Sequence, residues 1–173
     1  MKRLLIIVFL GFAIGVNAQQ VNWYTIEEAF ELNKTKPRKI MVDVYTSWCG
    51  WCKVMDKNTF SHPVIADYLN NNYYAVKFNA EQKEEINLNG TAYKFVESGR
   101  SGYHELAAAL LNGKLSYPSV VFLDENNQII HLQQGFTKAQ PFDKILKFIG
   151  DNSYKSISWE KWLAAYKSPI SSE

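Results

Sequence analysis

The chain has 173 residues, 47% of them apolar, with 19 lysines and arginines against 17 aspartates and glutamates. That length can bury one good core and predicts a single domain. A formal net charge of +2 speaks against nucleic acid as a partner. Met1-Lys2-Arg3, the apolar stretch Leu4 to Val16 and then Val16-Asn17-Ala18 read as a secretory signal (residues 1–18) cleaved after Ala18. The stretch falls short of the roughly 20 residues a membrane span needs, an uncleaved anchor being the alternative. Residues 19–173 are then one domain, periplasmic or secreted, in a compartment where disulfides form.

Thr25 to Asn33 opens with a capping box and keeps helical periodicity until Pro37. Lys39 to Thr46 is nearly continuous in apolar, β-branched and aromatic residues, as a strand buried on both faces should be. Helical signals run from Cys49 to about Asn58 and restart at Ser61 to Leu69, with Pro63 in the first turn. Tyr73 to Asn79 predicts a second core strand. Glu81 to Gly102 is polar and glycine-punctuated around Tyr93 to Val96, and predicts a lid or an inserted hairpin. Tyr103 to Leu111 predicts a helix ended by Asn112-Gly113. Ser119 to Leu123 and Gln128 to Gln134 flank Glu125-Asn126-Asn127 as a hairpin. Pro141 to Ile149 predicts a last core helix, and Trp159 to Tyr166 an extra one.

The only two cysteines stand three apart in Trp48-Cys49-Gly50-Trp51-Cys52, where a strand gives way to a helix. At that junction unpaired N–H groups and the helix dipole favour a thiolate at Cys49. The dipole supplies roughly 0.3–1 kcal/mol against about 1.4 kcal/mol per pKa unit, so hydrogen bonds from the Cys52 side must add to it. Such a pair can close a small ring and be reopened by an outside thiolate, which is exchange chemistry. A structural pair or half a metal site is the plainer reading. The ring is too short to be a strong staple, and a zinc site would need ligands beyond the scattered His62, His104 and His131. Lys53 stands where a haem-attachment motif requires histidine. The histidines read as surface or capping residues, and Tyr93, Phe95 and Tyr103 as core. Asp43, a carboxylate inside so apolar a run, must be buried or functional, and burial would raise its pKa.

The segment Val42 to Lys53 resembles the active-site stretch of the thioredoxin superfamily. Asp43 occupies the place of that family's buried carboxylate, six residues before the first cysteine. Lys77 stands in a strand context similar to the family's lysine, and Tyr117-Pro118-Ser119 to Asp124 looks like its cis-proline strand. The resemblance spans about Val21 to Gly150. It implies an α/β thioredoxin fold: a central mixed β-sheet flanked by helices, here with an insert before the cis-Pro strand and an extra C-terminal helix. It implies Cys49 as nucleophile, Cys52 as resolving thiol, Asp43 as the base for Cys52 and Lys77 as its assistant. Trp48, Gly50, Trp51, Tyr117 and Pro118 would form the substrate-binding surface.

Gly50-Trp51 departs from the Gly-Pro of cytosolic members and lacks the histidine of strong oxidants. It resembles periplasmic thioredoxin-like proteins, including the terminal domain of a membrane thiol transporter. The expected activity is therefore reduction of disulfide-bearing extracytoplasmic proteins by a monomer recharged from a membrane thiol donor, with no cofactor and no metal. A disulfide oxidase or isomerase, or a thioredoxin-fold binding module, is the alternative.

Overall fold

The computed structural model describes residues 20–99 and 101–171. The expected signal segment lies outside the described residues. Five strands form the main sheet: β1 (Trp23–Tyr24), β2 (Lys39–Tyr45), β3 (Tyr73–Asn79), β8 (Ser119–Leu123) and β9 (Ile129–Gln134), in the order β1-β3-β2-β8-β9. β1, β3 and β2 run parallel, whereas β8 is antiparallel to β2 and β9 to β8. The sheet is mixed and β2 is its centre, which accounts for the burial of that strand on both faces.

Period-two alternation sends neighbours on β2 into different cores. Ile40, Val42 and Val44 pack with Val76, Phe78 and Val121 beneath α1 (Ile26–Thr35) and α4 (Glu105–Leu110). Met41 packs with Tyr73, Ala75 and Phe122 beneath α2 (Gly50–Met55), α3 (Pro63–Asn72) and α5 (Ala139–Gly150). The capping box predicted for α1 is present: the Thr25 N–H donates to Glu28 Oε2 at 2.8 Å, and the Glu28 N–H donates to Thr25 Oγ1 at 3.2 Å. α6 (Trp159–Ala165) is the extra C-terminal helix, packing Trp159 edge-on and Trp162 at a tilt against Phe148 at 5.1 and 5.3 Å.

Several boundaries differ from the sequence expectation. β1 was not predicted, because two residues cannot display a period. The helix after Cys49 stays α-helical only to Met55 and widens into a π turn over Asp56–Phe60, where the Ser61 N–H reaches Asp56 O. The expected insert holds two antiparallel strand pairs: β4 (Ile86–Leu88) with β5 (Thr91–Tyr93), and β6 (Phe95–Ser98) with β7 (Ser101–His104). Asn89-Gly90 turns the first, both at positive φ, as a two-residue hairpin turn requires. Tyr103 and His104 therefore belong to a strand. His104 caps α4 from outside, its Nδ1 accepting the Leu106 N–H at 3.2 Å. His62 caps α3 in the same way, and Tyr93, Phe95 and Tyr103 are half-buried.

Candidate active site

The carboxyl end of β2 delivers the chain through Thr46 to Trp48 into Cys49, the N-cap of α2. Cys49 and Cys52 are joined as a disulfide with their Cα atoms 5.3 Å apart. The Cys52 N–H donates to Cys49 Sγ at 3.1 Å, so a first-turn amide points at the sulfur expected to carry the thiolate. Both cysteines are nearly enclosed, 4% and 3% exposed, while the flanking Trp48 and Trp51 are 66% and 61% exposed. Exposure therefore does not separate the two sulfurs in the disulfide state. The tryptophans, by contrast, form the open surface around them.

β8 begins beside the end of β2, with Val44 opposite Ser119, and the Tyr117–Pro118 peptide just before it is cis. Pro118 is buried, and together with Trp51, Tyr117, Gly135 and Phe136 it lines a shallow groove of about 260 Å³. Trp51 rests on Phe136 at 5.3 Å, and Trp48 meets Tyr117 edge-on at 6.1 Å. Gly50 opens α2, with nothing within 4 Å of the place a Cβ would occupy. The fold thus brings Trp48, Gly50, Trp51, Tyr117 and Pro118 to one surface.

Asp43 and Lys77 are paired in register on β2 and β3. Asp43 is 1% exposed, accepts from Lys77 Nζ at 2.6 Å through Oδ2, and has no partner for Oδ1 among the described residues. Burial raises its carboxyl from 3.8 to about 6, in spite of the neighbouring ammonium. A carboxylate so placed is basic enough to hold a proton near neutrality. For Lys77, burial works against the charge, but the Asp43 and Asp56 carboxylates outweigh it and raise the ammonium above its ordinary value. Three rings, Trp23, Tyr45 and Phe60, lie 4.9, 5.1 and 5.5 Å from Nζ, a cation–π setting for that charge.

Sequence reasoning missed three residues of this surface. Asp56 comes to Lys77 from the π turn, which no periodicity announces. Glu81, 33 positions from Trp48, accepts the Trp48 indole N–H at 2.9 and 3.0 Å. Phe136 lies in a loop whose apolar character gave no hint of its place. Among the described residues no group of three or more His, Cys, Asp or Glu could hold a metal ion, and no helix is long and apolar enough to cross a membrane.

A family model described as "Thioredox_DsbH: Protein of unknown function, DUF255" matches residues 12–149. An uncharacterized protein from Caenorhabditis elegans, B0495.5, is 32% identical over 84 residues, 48% of this chain and 12% of that protein. Spermatogenesis-associated protein 20 of Rattus norvegicus is 30% identical over 83 residues, 47% of this chain and 10% of that protein. The similar segment is thus about a tenth of the length of these curated relatives. Among solved structures, the DsbH oxidoreductase superposes with a TM-score of 0.56 at 17% identity, covering 80% of this chain and 90% of its own. A Thermus thermophilus thioredoxin gives 0.57 at 20% identity, covering 75% and 87%. A Helicobacter pylori thioredoxin-fold protein gives 0.54 at 18% identity, covering 75% and 82%. These likenesses show the fold.

Proposed function

Because the chain belongs to the Thioredox_DsbH family, in the thioredoxin superfamily, we propose that it is a thiol-disulfide oxidoreductase that reduces disulfides of extracytoplasmic proteins. The observation that carries this reading is the Cys49–Cys52 disulfide at the start of α2, flanked by two exposed tryptophans and preceded on β2 by a buried carboxyl raised to about 6. The signal pattern of residues 1–18 supports an extracytoplasmic domain beginning at residue 19, and the missing histidine after Cys49 supports the reducing direction.

In the reduced protein the Cys49 thiolate attacks one sulfur of a partner disulfide. A Cys49–partner bond forms and the partner's second sulfur leaves as a thiolate. Asp43 takes the Cys52 proton, and the Cys52 sulfur attacks Cys49 Sγ. The mixed disulfide breaks, the Cys49–Cys52 bond closes, and the partner keeps two electrons and takes up two protons. Lys77 holds the Asp43 carboxylate in place throughout. Restoring the dithiol takes two electrons from an outside thiol donor, and a membrane thiol transporter fits the proposed compartment. The dithiol is itself the redox centre, so the cycle calls on no cofactor.

Two measurements test the reading. A Cys52→Ser variant should accumulate mixed disulfides through Cys49 with several envelope proteins. Equilibration with glutathione should give a reduction potential below about −200 mV, on the thioredoxin side of the known range. A potential near about −120 mV would instead make the protein an oxidase. A single partner retained when both cysteines are replaced would make it a binding module.

A further inference from the structure

The surface around the disulfide carries opposite charges at its two ends. At one end Glu81 holds the Trp48 indole with both carboxylate oxygens, and its charge also raises the Tyr117 hydroxyl above its ordinary pKa, after burial. Among the described residues Glu81 forms no ion pair. From Trp48 the surface runs across Tyr117 and Pro118 to Trp51 and Phe136. Phe136 also lines a second groove of about 550 Å³, whose charged wall is Lys57 and Lys138, with His62 beside them.

Both lysines are exposed, and neither forms an ion pair among the described residues. The two walls of that groove are tied together below the surface. Thr59 Oγ1, fully buried in the π turn, donates to Thr137 O at 2.7 Å. The backbone that carries Lys138 is therefore tied to the π turn that carries Lys57, so both lysines stand on the Phe136 side of the aromatic groove, while Glu81 stands on the Trp48 side. A chain laid across the sulfurs meets an anion on one side and cations on the other.

We propose that this face selects extended, disulfide-bearing segments with a basic residue on one flank of the target cysteine and an acidic residue on the other, and that the charges fix the direction in which the segment lies. The inference rests on the exchange reading and adds to it a substrate class. Complementary charges at a wet rim contribute modestly to each contact, but they discriminate strongly between a matched and a reversed arrangement.

Two disulfide-bridged model peptides of identical composition provide the test. One has Lys two residues before the reactive cysteine and Asp two residues after it, and the other has the order reversed. At low ionic strength kcat/KM should differ about tenfold between them, and the ratio should fall towards one in about 0.5 M salt. Glu81→Gln keeps an acceptor for the Trp48 indole and removes the charge, and Lys138→Gln removes a charge from the far end. Each should reduce the ratio to about threefold, the pair together should lower it further, and Lys57→Gln added to them should leave almost none. Equal turnover of both peptides, or a preference untouched in the double variant, would overturn the proposal.

Serine versions of the same peptides, titrated by tryptophan fluorescence, separate this inference from the one beneath it. An order preference in their affinity without any disulfide exchange would uphold the surface and refute the enzyme. Exchange of both peptides with no preference in either measurement would do the reverse.

Discussion

The two faces of the central strand differ by a single step along the chain. Val42 and Val44 enter a core closed by α1, α4 and the first hairpin, lined by apolar side chains and, against Phe78, by the buried ring of His104 that caps α4. Asp43, between them, enters the face covered by α2, the π turn and α5, and carries a charged pair into it. One face of the sheet is thus given to packing, while the other accepts a desolvated carboxyl paired with Lys77. The difference teaches that the cost of the chemistry is confined to one side of the sheet, where the opposite core can offset it.

Substitutions that separate the two faces sharpen this contrast. The largest effect should come from Cys49→Ser, which takes disulfide reduction to background while leaving the secondary structure seen by circular dichroism unchanged, since a hydroxyl cannot replace the thiolate. On the apolar face Ile40→Ala, at a fully buried site, should cost about 2–5 kcal/mol in urea unfolding. Exchange per folded molecule should stay as it was. A comparable fall in turnover would break the separation of roles.

Asp43→Asn should do the opposite, slowing resolution of the mixed disulfide and stabilising the fold. The folded carboxyl titrates at about 6 against 3.8 in the unfolded chain. The folded state therefore binds more protons across that interval, and stability of the natural protein falls as pH rises through it. The asparagine variant lacks this loss, so its advantage should be absent below pH 3.8 and reach about 2–3 kcal/mol above 6. Denaturation at pH 3.5 and 8 checks both the sign and the window. The smallest effect belongs to Thr25→Ala, which removes the side-chain half of the α1 capping box and should lower stability by about 1 kcal/mol with no change in exchange.

Much of this was legible in the chain. The apolar run of β2, the cysteine spacing and the resemblance around Pro118 gave the sheet centre, the disulfide and the cis-proline strand before any geometry, and the capping box located α1. What stayed hidden depends on distance in sequence or on brevity. Asp56 reaches Lys77 because a helix widens by one residue per turn, and the local residues DKNTF carry no signal for that. Glu81 finds Trp48 across 33 positions. The first hairpin did have a signal, since Asn89-Gly90 is a strong turn dipeptide, but its strands of three residues are too short to alternate visibly. His104 was masked by the alanine-rich helix that follows it.

Ala80 anchors the double hairpin at both of its ends. Its N–H donates to Tyr45 O at 2.8 Å and its carbonyl accepts the His104 N–H at 2.7 Å, so both ends of the double hairpin are riveted to one residue beside the catalytic strand. Residues added at the exposed tip between β4 and β5 leave those rivets, the Glu81 contact and the buried Ile86 and Leu88 in place. The tip at Asn89-Gly90 is accordingly a natural port for grafting: an epitope, a fluorophore-bearing loop or a recruiting sequence could be spliced in there without retuning the sulfur chemistry.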